Sequence, residues 1–373
     1  MKLEQRKWDK THGWTPSTPR ADMKFAQLVM IFGAGLQLKE TSLLEHVKDS
    51  YPLAQLFGCS TSGEIFGTRV MEESIVSTAV YFEQTQIKTV QVHLNQMEDS
   101  YKAGAYLASA LPVTLPSNSG HGEDTLVHVF VLSDGLKVNG SDLVRGMTSQ
   151  LPQGTTVTGG LAGNDNDSLE TLVIGDAGPQ KEIITVMGWY GDKLRVGFSS
   201  LGGWDPFGPE RLITNSKGNV LFELDGRSAL ELYKKYLGEH AKGLPATGLL
   251  FPLSIRTKSG DKGVVRTILS VDETDQSMTF AGDVPEGSYA RFMKANFDRL
   301  IDGAAGAAKT SYHAIGPQAP QLAILISCVG RKLILKQRVE EEIEVIREVF
   351  GDQTMLTGFY SNGEIAPFIP GVK

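Results

Sequence analysis

The sequence predicts an α/β fold of two mixed-sheet lobes, and three observations carry that expectation. A unit of apolar strand, glycine-containing turn, amphipathic helix, second apolar strand and glycine-rich polar turn recurs three times. Between the units, strand-like runs follow one another directly, which requires antiparallel neighbours and therefore mixed sheets. With 373 residues, the chain has room for two ordinary domains or one large duplicated unit.

Residues 1–23 carry charges, two prolines and no apolar period, and read as a mobile arm. A first lobe is expected over residues 24–205 and a second over 206–373, meeting near Leu201 to Arg211. The first repeat runs from Leu28 to Ile65, with a helix from Thr41 to Ser50 and the turn G-C-S-T-S-G-E-I beginning at Gly58. The second runs from Val127 to Asp165, with a helix from about Ser141 to Gln150 and the turn T-G-G-L-A-G-N-D beginning at Thr158. The third runs from Ala323 to Ile365, with a helix from about Leu333 to Phe350 and the turn G-F-Y-S-N-G-E-I beginning at Gly358. Gly58, Gly63, Glu64 and Ile65 match Gly358, Gly363, Glu364 and Ile365, which points to an ancient duplication.

Val339, Ile343, Ile346 and Phe350 form one apolar stripe, leaving the neighbouring glutamates as a solvated face. Further helices are expected from Asp225 to Leu237, stopped by Gly238, and from Asn296 to Lys309. Hairpin signals cover Ser74 to His93, Leu172 to Leu201, and Leu249 to Phe280, with turns at Ser259 to Gly263 and Asp272 to Gln276.

Composition narrows the function. Lys plus Arg number 36 against 43 Asp plus Glu, so no excess of positive charge exists to neutralise phosphates, and nucleic acid is not the expected partner. The longest apolar stretch, around Leu28 to Phe32, falls far short of the roughly 20 residues of a membrane span. The first ten residues lack an apolar secretory core, and two cysteines fit a reducing compartment, so the cytoplasm is expected.

Several signatures nearly form. Gly33-Ala34-Gly35 lacks the third glycine of a dinucleotide fingerprint. Gly303 to Thr310 resembles a phosphate-binding loop but lies inside a helical apolar pattern, where its amides cannot cradle phosphate. Gly58 to Gly63 is one residue too long for a nucleophile elbow. No zinc or covalent-haem motif occurs.

The glycine-rich turns at strand ends remain. Glycines free the backbone to aim amides at an anion, and nearby hydroxyls and carboxylates add donors and a negative charge. The candidate ligand set is Gly58, Cys59, Ser60, Thr61, Ser62, Gly63 and Glu64 from the first turn, and Gly159, Gly160, Gly163 and Asn164 from the second. Cys328, Arg331, Tyr360, Gly363 and Glu364 complete it from the third. Together they would hold a small zwitterion, with its carboxylate on amides and Arg331 and its ammonium on a glutamate. The bland alternative is that the glycines make tight turns and the glutamates cap loops. Cys59 and Cys328 read either as small buried apolar residues or, for Cys59 with Glu64 as accessory acid, as the nucleophile of a hydrolase or transferase. His93, His128 and His313 are the weak candidates for a metal or haem ligand.

These residues, with S-D-G at Ser133, G-W-D-P-F-G-P at Gly203, N-V-L-F-E-L-D-G at Asn219 and S-C-V-G-R at Ser327, resemble the FIST domain family across Phe25 to Pro367. The resemblance implies a bacterial, non-enzymatic sensory module that binds a small ligand, with amino acids proposed for the family. It also implies signalling in trans to a histidine kinase or cyclase. The chain further resembles stand-alone FIST proteins that bind haem and sense nitric oxide, so non-covalent haem is an implied cofactor without an assigned axial ligand.

Overall fold

Three strand–helix–strand units organise the protein, and each pairs a leading strand in parallel with a trailing one. The computed structural model describes residues 1–117, 122–164, 170–257 and 263–367. In unit one, Leu28–Gly33 leads, helix Thr41–Ser50 crosses over and Gln55–Ser60 trails. In unit two these elements are Glu123–Ser133, Gly140–Gln150 and Thr156–Leu161. In unit three they are Leu322–Cys328, helices Val329–Leu335 and Val339–Phe350, and Met355–Ser361. The single third helix expected from sequence is thus broken at Lys336, whose φ is +49°.

Helix formation follows local chemistry. Leu43, Leu44 and Val47 bury one face of the first helix, and Asn139 caps the second by accepting from the amides of Ser141 and Asp142. Helix Phe297–Ile315, capped by Asn296, contains the Gly303 to Thr310 run, so that run is helical. Helix Ala229–Leu237 starts later than expected, because Ser228 is its cap. Asp225 instead binds Arg211 and the Leu212 amide.

The units interlock in a ring. The crossing strand of unit one, Glu64–Phe66, pairs with the trailing strand of unit three, setting Ile65 opposite Gly358. The crossing strand of unit three, Gly363–Ile365, pairs with the trailing strand of unit two, setting Ile365 opposite Gly159. The ring closes where Val173–Gly175, which follows unit two, places Val173 opposite Cys59. The two halves of the chain therefore share sheets instead of standing apart. One apolar core joins Leu28, Phe32 and Phe57 of unit one to Phe130 and Leu132 of unit two and Phe359 of unit three.

A glycine makes each crossover fit. A Cβ on Gly58 would lie 1.8 Å from the Ile31 carbonyl oxygen, one on Gly159 1.9 Å from that of Val131, and one on Gly358 1.8 Å from that of Leu325. Each of these three contacts is to the residue opposite in the leading strand. The region from Trp204 to Ala295 forms its own antiparallel sheet around Ile213, Leu230, Tyr233 and Phe292. The Asp272 to Gln276 turn joins two of its paired strands, whereas Ser259 to Lys262 lie outside the described residues, as does Asp165.

Two expectations need correction. Residues 1–23 do not form a mobile arm: Lys2–Asp9 is a strand paired along its length with Ile75–Tyr81, and Arg6 and Met23 are fully buried. Ser74 to His93 is not a hairpin, because Ile75–Tyr81 flanks unit one while Gln86–His93 pairs with Ile183–Tyr190 in another sheet. No helix among the described residues is long and apolar enough to cross a membrane.

Candidate functional site

The three glycine-rich turns meet, as the ring topology requires, and bond to one another. Ser60 Oγ donates to the Gly163 carbonyl at 2.6 Å, and the Ser62 amide donates to the Tyr360 carbonyl at 2.9 Å. Ser62 Oγ donates to the Asn164 carbonyl at 2.9 Å, and Asn362 Nδ2 reaches Asn164 Oδ1 at 3.0 Å. Thr61 Oγ1 and Ser74 Oγ both donate to Glu64, which is buried. Gly58, Cys59, Ser60, Thr61, Ser62, Gly63, Glu64, Gly160, Gly163, Asn164 and Tyr360 thus belong to a packed knot, and none of them lines the cavities described next.

Beside the knot lies a cavity of about 340 Å³. One wall is the leading strand of unit three, Leu322 to Cys328; others come from Ala304, Ala308 and Ser311 of helix Phe297–Ile315 and from the irregular segment Leu194 to Leu201. Phe130, Trp189 and Ile346 make its floor largely apolar. A second cavity of about 560 Å³ shares Ser199, Ser200, Cys328, Arg331 and Glu364 with the first, so the two adjoin at these residues. Gly159 and His128 line the first and Gly363 the second.

The polar groups gather at that junction. Arg331 is buried, with Nε donating to Glu342 Oε1 at 2.9 Å and Nη2 to the Leu300 carbonyl at 2.5 Å. Nη1 has no hydrogen-bond partner among the described residues, which leaves it as a charged donor beside the cavity. Glu342 also accepts from Ser327 Oγ at 2.8 Å. Glu364 is exposed and lines both cavities, and Ser361 Oγ donates to Oε1 at 2.8 Å. Desolvation raises its carboxyl above the ordinary range, against the lowering influence of Ser361 and Arg331. Trp189 Nε1, of a residue lining the same cavity, is buried without a partner among the described residues. Trp189 and the Leu194 to Leu201 segment had no distinguishing signal in the sequence, since only the fold brings them to this strand.

Neither thiol is activated. Cys59 is fully buried, and burial pushes its thiol well above the ordinary value, so the nucleophile reading finds no accessible thiolate. Cys328 borders the cavity with its thiol pushed up to about 12 by desolvation. Haem would need an axial donor beside the cavity. His93 and His313 lie off the cavity, and the His128 ring nitrogens sit 2.7 Å from Thr156 Oγ1 and 2.9 Å from Thr158 Oγ1. The cavity donors of a type that haem iron takes are therefore His128, held by two threonines, the thiol of Cys328 and the thioether of Met1.

An uncharacterized protein of Methanocaldococcus jannaschii is 22% identical over 328 residues, covering 84% of this chain; the chain spans only 62% of that relative's length. A crystal structure of chorismatase aligns over 98% of both chains with a TM-score of 0.35 and 9% identity. The FIST N domain matches residues 27–227 and the FIST C domain residues 229–367, and the chain belongs to the FIST family.

Proposed function

We propose that this chain is a small-ligand sensor whose ligand is an α-amino acid with an apolar side chain, bound in the cavity beside Leu322 to Cys328. One observation carries the reading: an open guanidinium nitrogen of Arg331 and the carboxylate of Glu364 face the same apolar-walled space. Arg331 Nη1 would take the ligand carboxylate and Glu364 its ammonium, while the apolar walls take the side chain. Because Arg331 is already paired with Glu342, an ionised Glu364 leaves the junction one negative charge in excess, which a cationic ammonium neutralises. Family membership supports a sensory role, and signalling passes in trans to a kinase or cyclase as ligand binding shifts the elements around the cavity.

Calorimetric titration with leucine tests this. Saturable binding is expected, weakened about tenfold by Glu364→Gln, in line with the loss of one charge-assisted contact. The haem and nitric oxide reading rests on the family resemblance alone. A sharp Soret band on adding haem, with no heat from leucine, overturns the amino-acid reading in its favour.

A further inference from the structure

Units one and two each carry a flanking strand that unit three lacks among the described residues. Ile75–Tyr81 lies antiparallel along the outer edge of Leu28–Gly33, starting with Ile75 opposite Gly33. Ile183–Tyr190 lies antiparallel along Glu123–Ser133, with Ile184 opposite Ser133. Among the described residues the leading strand of unit three pairs only with its trailing strand and is an edge of its sheet. Leu28–Gly33 is buried at every residue, whereas Leu322–Cys328 is only half-buried over most of its length. The apolar cavity runs along that edge, where the other two units have a strand.

The anchor for a flanking strand is nevertheless in place. In unit one, Ser74, the residue just before the flanking strand, donates from Oγ to Glu64 Oε2 at 2.6 Å, while Thr61 holds Oε1. In unit three, Ser361 holds Glu364 Oε1, and no side chain among the described residues donates to Oε2. The facing wall is unpaired as well. Residues 192–203 make no backbone–backbone hydrogen bond among the described residues. Two backbones with open donors and acceptors thus face each other across an apolar slot, an arrangement that needs an occupant with donors and acceptors of its own.

We propose that the cavity binds a short apolar peptide as the flanking strand of unit three, antiparallel to Leu322–Cys328, with its N-terminal ammonium on Glu364. Its first carbonyl then accepts from Arg331 Nη1, and its remaining amides pair with the strand edge. This rests on the amino-acid reading, since a free amino acid and a peptide N-terminus present the same ammonium and neighbouring oxygen. It goes further by assigning the rest of the ligand to the open edge.

The test uses the tripeptide Leu-Val-Ala, its N-acetylated form and free leucine on the full chain, by calorimetry and amide hydrogen exchange. The free tripeptide is expected to bind about tenfold or more tighter than leucine and than the acetylated peptide, and to slow exchange across residues 322–328. Glu364→Gln should erase the preference over the acetylated form, with unchanged exchange elsewhere serving as the check on folding. Equal binding of the acetylated peptide, or no added protection at the strand, overturns the proposal. So does slow exchange there without any peptide, which would mean that the chain itself covers the edge. If leucine binds through Glu364 and the tripeptide does not, the peptide assignment falls while the amino-acid reading stands; if neither binds, both fall.

Discussion

Glu64 and Glu364 hold the same place in two units, and a hydrogen bond distinguishes them: Ser74 Oγ, 2.6 Å from Glu64, has no counterpart at Glu364 among the described residues. The first glutamate is sealed in the turn, while the second opens on the cavity. A repeated sequence motif therefore has a structural role in one unit and the geometry of a binding group in the other.

That contrast predicts opposite effects of the same substitution. Glu64→Gln turns an acceptor of two hydroxyl donors into an amide that satisfies only one of them, which should cost about 1–3 kcal/mol in urea unfolding. Glu364→Gln should raise stability at neutral pH, because desolvation by the protein around the cavity holds the native carboxyl above its ordinary pKa and penalises its charged form. A raised carboxylate pKa costs nothing below the unfolded value and its full amount above the folded one. The gain from Glu364→Gln should therefore vanish as the pH falls below the ordinary carboxylate range. A gain that persists in acid would place its origin elsewhere.

The three crossover glycines should tolerate no side chain. Gly58→Ala, Gly159→Ala and Gly358→Ala each place a methyl group within 1.9 Å of a leading-strand carbonyl oxygen, and backbone there cannot move without breaking the parallel pair. Each is expected to cost about 4 kcal/mol or more, or to prevent soluble expression. Gly202→Ala, whose nearest neighbour would be Trp204 Cδ1 at 3.6 Å, should change the unfolding midpoint little. Near-normal stability in any of the three would contradict the crossover geometry.

Arg6 makes the N-terminal strand part of the core. Its guanidinium donates to the Pro16 carbonyl at 2.9 Å, the Ser17 carbonyl at 2.8 Å and Ser50 Oγ at 3.1 Å, and it lies over the Trp14 ring at 5.0 Å. Arg6→Ala removes a fully buried side chain together with its three hydrogen bonds and its packing on Trp14, and should cost about 3 kcal/mol by chemical denaturation. Deleting residues 2–9 should be worse, since it strips the partner from Ile75–Tyr81. A shortened chain with wild-type stability would restore the mobile-arm reading.

That strand also shows where the sequence misleads. Its inward face carries Glu4 and Arg6, so an apolar alternation never appears, and the charges are satisfied by Tyr51, Arg20, Pro16 and Ser17 from well outside the window. What was legible is local: the first helix has its expected ends, and Asn296 caps its helix as its position suggests. Long-range pairing was not legible. Nothing in Ser74 to His93 tells that its two strands belong to different sheets. The site follows the same division. Gly159, Cys328, Arg331, Gly363, Glu364 and His128 reach the cavities, whereas the first turn, equally rich in hydroxyls, is consumed by bonds to the other two turns. Its serines and threonines carried no sign of which partners the ring would bring.

His128 gives the protein an acid-sensitive element whose sign opposes that of Glu364. Burial lowers its pKa from an ordinary 6.5 to about 4, and its two ring nitrogens contact the Thr156 and Thr158 hydroxyls, one of which can donate while the other accepts. In the native protein the ring therefore stays neutral where the unfolded chain would take up a proton. A depressed histidine pKa leaves stability untouched above 6.5 and removes it progressively as the pH falls toward 4, by about 3 kcal/mol in all. His128→Gln keeps one donor and one acceptor without the titration, so the difference in unfolding free energy between variant and wild type should move in favour of the variant over that interval. Urea titrations at pH 7, 5.5 and about 4 measure it, comparing the two proteins at each pH so that acid effects common to both cancel. A difference that stays flat across the series would mean that His128 takes up its proton in the native protein over the same pH interval as in the unfolded chain.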